Sequence, residues 1–454
     1  MIQLTFLLLG AEAVRRHWIV LAAVGVTWAL LGIAIMTESF EHIRGYTMHI
    51  LGVLLVVEGC ATMLARVAGH RARLWHIKAL ALILPGLAII ETPLRNLMLV
   101  SILFGLALIT DSIVRTISIF LVRFPGWRLA LFGTSVEFIL ALLALTPWPV
   151  TYEATIPFCV SVALMLSGWT ILRSALALRA LPPGAPITSL PIFEQERGWH
   201  ASVFLPAERK PAADGTLMVV HVWTATATTV NPRRRPILDR YVAAVDREGT
   251  VSTGHAALEM APDIYISHYR VADNERSGSE FRQSLHAGVQ NNAPGRFLPG
   301  YAAEAAEWCE ATEHVEFQNF SAERLRAFWD EYRTDSTYNL TNRNCSVAVA
   351  LALDAALEGA LAEHAVWPSF LRLAVSPELH LATLLRQRAH TMTWTPGLVL
   401  DYARAVQRVV EPPPLPWPAM VGQAFVRWRR IRKVHARAKR RMVRRGEGKA
   451  SASF

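Results

Sequence analysis

Six apolar stretches, each long enough to cross about 30 Å of hydrocarbon, follow one another through the first 180 residues with only short connections. They run Trp18 to Met36, Tyr46 to Val67, Trp75 to Ile90, Leu97 to Leu121, Trp127 to Thr146 and Thr155 to Leu178. One soluble helix can be apolar all round when it is buried, but six in succession have no soluble core large enough to fill. Residues 1–180 are therefore expected to form an α-helical six-span membrane domain. Met1 to Gly10 is apolar as well, but it lacks a basic leading segment and runs into Glu12, Arg15 and Arg16, so it reads as an interfacial segment and not as a cleaved signal peptide.

Loop charges predict the orientation. Arg15, Arg16, Arg66, Arg71, Arg73, Lys78, Arg115, Arg123, Arg128, Arg173 and Arg179 lie at one set of ends, and only Arg44 and Arg95 at the other, which puts both termini on the cytoplasmic side of an inner (plasma) membrane. Leu31 to Thr37 recurs as Pro85 to Thr92 and, more loosely, as Ile139 to Thr146, which implies three helical hairpins. The pairs Glu58-Gly59, Asp111-Ser112 and Ser167-Gly168 occupy corresponding mid-span places, where small residues let helices approach. Glu58, Asp111 and Glu137 fall near span centres, where charge is costly. They read either as a proton-passing cluster or as buried acids, with Asp111 pairing to Arg115 one turn on. The Arg-Arg-His-Trp entry at Arg15 to Trp18 and the Gly-Ile-Ala-Ile and Gly-Leu-Ala-Ile turns resemble the HdeD-type acid-resistance membrane family over residues 1–180. That resemblance implies a link to acid stress and no particular reaction.

After Leu181 the composition changes: Pro182, Pro183, Gly184 and Pro186 open a linker, residues 181–214. Leu217 to Thr224, Arg240 to Asp246, Val251 to Met260 and Ile264 to Arg270 are rich in Val, Tyr, Ile and Thr and predict a small antiparallel sheet. A helix is expected over Ser321 to Arg333 and another from Cys345. In Asn344-Cys345-Ser346, Asn344 is a good N-cap and Val347 to Leu353 is wholly apolar, so Cys345 belongs to the first turn of a buried helix. Unpaired amides and the helix dipole there favour thiolate, the nucleophilic form. A cysteine nucleophile needs a base. His255, after Gly254 on a predicted strand, is the candidate, and His268 on the next strand is placed to orient its imidazole.

The Asn-Cys pair opening a helix and two histidines on successive strands resemble the circularly permuted papain-like superfamily, which includes NlpC-type peptidases and the lecithin:retinol acyltransferase group. The resemblance covers about residues 215–360. It implies an α+β papain-like domain, a small sheet packed on the helix bearing Cys345, with His255 as base, His268 as orienting residue and Cys345 as nucleophile. Asn344-Cys345-Ser346-Val347-Ala348 departs from the Asn-Cys-Glu-His-Phe-like sequence of the lipid acyltransferases, so the implied chemistry is that of a cysteine hydrolase or acyltransferase on a peptide, amide or thioester. The contrasting readings are a non-catalytic acid-stress membrane protein with an inactive or regulatory soluble domain, and a transporter using the buried carboxyls.

His221 reads as structural and Cys309, lacking a basic neighbour, as inert. Four cysteines without a CxxC pair suggest neither a disulfide framework nor a zinc ribbon, and no metal or other cofactor is expected. Residues 361–411 predict a helical extension, and Pro412 to Pro418 a stiff linker. The net charge of +10 resides in the tail that follows, where Arg427 to Lys449 carries twelve Lys or Arg against one Glu. Phe425, Trp428, Ile431 and Val434 recur every third residue within it, which suggests an amphipathic helix on anionic lipid headgroups; RNA binding and a solvated tail are the rival readings, nucleic acid being the less favoured partner.

Overall fold

The structure is a computed structural model. It describes residues 1–37, 52–53, 56–57, 59–60, 80, 83–84, 86–87, 90, 97–123, 127–146, 148, 152–196, 205–206, 208–213, 215–225, 244–245, 251–271, 286–362, 373 and 376–412. Among these residues, four helices are long and apolar enough to cross a membrane. They are α3 (Trp18–Met36), α4 (Leu97–Val122), α5 (Trp127–Leu145) and α6 (Tyr152–Arg179). They mark the chain as a membrane protein, and large apolar side chains such as Leu30, Ile117, Phe132 and Trp169 cover their outer surfaces. The second and third expected spans, and the tail after Pro412, lie largely or wholly outside the described residues.

Helix α3 packs along α6 and α4 along α5. The first pair meets backbone to backbone: a Cβ on Gly168 would stand 2.6 Å from the amide nitrogen of Ala29, so only glycine fits there. On α4, Arg115 pairs with Asp111 as the one-turn spacing predicts, and its Nε also lies 3.9 Å from Glu137 of α5.

The remainder forms antiparallel sheets framed by helices. Strands β1 (Met218–Trp223), β4 (His255–Met260), β5 (Ile264–Ile266) and β8 (Glu313–Phe317) make one sheet in the order β5-β4-β1-β8. Strands β6 (His268–Arg270), β7 (Ala293–Phe297) and β9 (Thr337–Tyr338) make a second, and β2 (Ala244–Val245) pairs with β3 (Val251–Ser252). Alternation gives the first sheet one apolar face, with Met218, Val220, Val222, Ala256, Leu258, Met260, Ile264, Ile266, Val315 and Phe317 all in the main core. Against it lie α8 (Ala322–Tyr332), α9 (Cys345–Leu357) and α11 (Pro396–Val410), with α10 (Pro377–Thr391) packed on α11.

Caps fix where these helices start. Asn344, Ser376 and Thr395 each accept a hydrogen bond from the backbone N–H three residues on, and Pro377 and Pro396 stand at the first helical position. A buried bidentate ion pair, Arg386 to Asp354 at 2.7 Å on both oxygens, ties α10 to α9, and Tyr402 of α11 donates to the same carboxylate. Breaking such a pair by removing one partner costs about 3–5 kcal/mol.

The N-terminal segment departs from the interfacial position expected of it. Helix α1 (Ile2–Leu9) is buried from Leu4 to Leu9 inside the core of the sheet-bearing part, where the N–H groups of Gly359 and Leu361 donate to the carbonyls of Leu7 and Leu8. Its leucines and phenylalanine fill space that α9 and α10 leave open. Helix α2 (Ala11–Arg15) then leads to α3. Val14 of α2 and the ends of the apolar helices, through Ile119, Val122 and Leu178, enter the same core.

Candidate functional site

Cys345 opens α9, and Asn344 caps it by accepting from Val347 N–H at 2.8 Å. The first i→i−4 bond runs from Ala348 N–H to the Asn344 carbonyl, so the N–H groups of Cys345 and Ser346 precede the helical ladder. The Asn344 side chain is spent on structure: its NH2 donates to the carbonyls of Leu340 and Trp394.

His255 begins β4 directly after Gly254, whose φ of 72° and position make glycine necessary: a Cβ there would stand 2.4 Å from the Trp223 carbonyl oxygen. Cys345 and His255 are 7% and 4% exposed, and each lies within the other's electrostatic reach. Burial alone would push the thiol up. The charge of His255, its hydrogen bond and donation from Ala256 N–H and Ser346 outweigh burial and hold the thiol below its ordinary range. Burial likewise works against the imidazolium, but the charge and hydrogen bond of Cys345, with Glu304, raise His255 above its ordinary value. Both directions favour a thiolate–imidazolium pair.

The other ring nitrogen of His255 is held by different groups from the one expected. Nε2 lies 2.9 Å from Ser267 Oγ and 3.3 Å from Glu304 Oε1, which leaves Nδ1 for the thiol. Glu304, 1% exposed on α7 (Tyr301–Glu307), accepts from Tyr265 at 2.5 Å and Tyr269 at 2.7 Å. The Tyr269 ring also stacks on His255 with centroids 4.0 Å apart.

His268 sits elsewhere. Its Nδ1 meets Tyr332 Oη at 3.1 Å and its Nε2 the Ser336 carbonyl at 3.3 Å, and burial pushes it down to about 4. The reason is parity. The expected strand Ile264 to Arg270 breaks at Ser267, and the β4–β5 register sets Glu259 opposite Tyr265 and Leu258 opposite Ile266. Tyr265, Ser267 and Tyr269 therefore share the face of His255, whereas His268 turns to β7 in the second sheet.

His221 makes a separate cluster on that face, with Nε2 3.1 Å from Glu259, Nδ1 2.9 Å from His314 Nδ1 and its ring stacked on Tyr301. Burial lowers its pKa. Cys309 is half-buried, and its carbonyl accepts from the Trp223 indole. Among the described residues no group of three or more His, Cys, Asp or Glu side chains is arranged to hold a metal ion.

Sequence reasoning missed Glu304 and Ser267. The available signal was Tyr265 and Tyr269, two hydroxyls flanking Ser267 at period 2 with no partner of their own on the strand. Comparisons with protein-family models, with curated proteins and with solved structures each found no match.

Proposed function

We propose that this membrane protein is a cysteine hydrolase or acyltransferase with Cys345 as nucleophile and His255 as base and then acid. The observation that carries this is the buried contact between a helix-opening thiol and an imidazole whose far nitrogen is held by Ser267 and Glu304. The thiolate attacks the acyl carbon of a peptide, amide or thioester; a C–S bond forms and the carbonyl π pair moves to oxygen. The N–H groups of Cys345 and Ser346 are the available donors to that oxyanion. Collapse expels the leaving group, which takes the proton from His255. Water or a small acceptor then gives a proton to His255, attacks the acyl-cysteine and breaks the C–S bond. His255 and Cys345 touch the reacting atoms, and Glu304 is a positioning residue.

The finer architecture belongs to the same proposal: a permuted papain-like arrangement of sheet and α9, six spans in three hairpins related to the HdeD-type family, and a catalytic part and both termini in the cytoplasm. What supports it is the order His255, Glu304, Cys345 along the chain and the loop-charge asymmetry. The basic tail would bind anionic headgroups; a peptide of residues 412–454 should sediment with phosphatidylglycerol vesicles and not with phosphatidylcholine alone.

The test is labelling of the full chain in vesicles with iodoacetamide and with an activated acyl thioester, read by mass spectrometry. Cys345 should label much faster than Cys309, and His255→Ala should slow it about a hundredfold near neutral pH. In wild type the rate should already be high below the ordinary thiol range. In His255→Ala the rise should move to higher pH, because burial then acts on the thiol without the imidazolium's charge and hydrogen bond against it. Cys345 labelling no faster than Cys309 would overturn the catalytic reading in favour of a non-catalytic module.

A further inference from the structure

The loop that presents Cys345 is bonded, through one intermediary, to the end of a membrane helix. Val122, the last residue of α4, accepts a hydrogen bond from Ala287 N–H at 2.7 Å, and the Ala287 carbonyl accepts from Asn342 Nδ2 at 3.1 Å. The neighbouring Gly288 carbonyl accepts from Asn339 Nδ2 at 3.3 Å. Asn339 in turn holds the loop's curvature, its Oδ1 accepting from the N–H groups of Thr341 and Asn342. Asn342 stands three residues before the nucleophile. Val122 and Ala287 are both buried, so neither bond is exchanged freely with water.

The other end of that path lies within the apolar span. Arg115 is two helical turns, about 10 Å, from Val122 on α4. It bonds Asp111 on its own helix and reaches Glu137 on α5, and Arg115 and Asp111 are half-exposed. Ion pairs at this depth depend on what packs beside them, because hydrocarbon offers no alternative partner. Ser101 and Gly105 also seat α4 on α5, Ser101 donating to the Ala144 carbonyl at 2.7 Å. A helix held this way moves as a body. A change in its seating on α5 must shift Val122 or break its bond to Ala287.

We propose that the seating of α4 against α5 sets the reactivity of Cys345 through the Val122–Ala287–Asn342 bridge, so that the site is regulated from within the membrane. This rests on the catalytic reading above. The physical claim is a coupling between two places on the chain, and a double-mutant cycle measures it.

The full chain, with Cys60, Cys159 and Cys309 changed to alanine, is placed in phosphatidylethanolamine–phosphatidylglycerol vesicles, and iodoacetamide labelling of Cys345 is timed. Arg115→Gln, which breaks the contact to both carboxylates, is expected to change the rate at least about fivefold. Asn342→Ala leaves Cys345, His255 and Glu304 in place, and in that background Arg115→Gln should have no effect. Arg115→Lys, which keeps the charge, should restore most of the original rate. Glu137→Gln tests the same α4–α5 contact if Arg115→Gln does not assemble. Equal effects of Arg115→Gln with and without Asn342, or no effect of either membrane variant, would overturn the coupling while a fast Cys345 leaves the catalytic reading standing. A Cys345 in the parent that labels no faster than Cys309 does in the wild-type chain would sink the catalytic reading itself, and the coupling with it.

Discussion

The two faces of the four-stranded sheet come from alternate residues of the same strands, and they are built to opposite ends. One face presents Met218, Val220, Ala256, Leu258 and Ile266 to the helices and to the ends of the membrane spans, with no titratable group among them. The other presents His221, His255, Glu259, Tyr265 and, from short α7, Glu304, roofed by aromatic rings. A one-residue slip in register would exchange them, burying carboxylates against leucines. The same apolar pressure that specifies the first face therefore guarantees the geometry of the second. Within the polar face, His221 and His255 each meet a carboxylate, but His221 faces another imidazole and burial lowers it, while His255 faces a thiol and is raised. The partner on the nitrogen that does not meet the carboxylate decides which imidazole carries charge.

Three substitutions would break or sharpen this contrast. Leu258→Ala, on the apolar face, should cost about 2–5 kcal/mol of stability in a denaturant or thermal melt, while molecules that remain folded label at Cys345 as before. A loss of reactivity without a loss of stability would mean that the faces are not separable. Glu304→Gln keeps a hydrogen-bonding side chain but removes the charge beside His255. It should slow labelling about tenfold near neutral pH and move the acid limb of the rate profile to higher pH, because the imidazolium has lost its second counter-charge. Above the ordinary thiol range the two rates should converge, which a general loosening of the site would not produce. His268→Ala should have the smallest effect, less than about threefold: with a pKa near 4 it is neutral throughout the range of the assay, and it touches Tyr332 and Ser336 instead of His255. A tenfold loss would restore it to the orienting role.

How far the residues announced this arrangement depends on range. The apolar lengths of α3 to α6 were legible because lipid-spanning helices are written in consecutive residues, and Asn344-Cys345 was legible because an N-cap and its helix are neighbours. Strands β1 and β4 were legible by composition. The break at Ser267 was not, because it is set by pairing of His268 with Phe297, 29 residues further along the chain. Glu304 was hidden for a related reason: Tyr301-Ala-Ala-Glu-Ala-Ala-Glu looks like a solvated turn of helix, and only the sheet beneath it makes the middle glutamate the buried one. Helix α1 was misplaced because a short, mostly apolar segment suits a bilayer surface and a protein core equally well.

That last feature bears on how the chain comes into being. Helix α1 is made well before the surfaces that bury it, α9 and α10, which lie more than three hundred residues later. At about 5–20 residues per second, roughly 15 to 70 s pass between the synthesis of Leu9 and that of Cys345. During that interval six leucine-rich residues, Leu4 to Leu9, must be kept from aggregating, with the forming bilayer segments as their nearest shelter. The core closes only when α1 meets α9 and α10. A fragment cut at Leu181 to free the sheet-bearing part would leave its own first helix behind in the membrane.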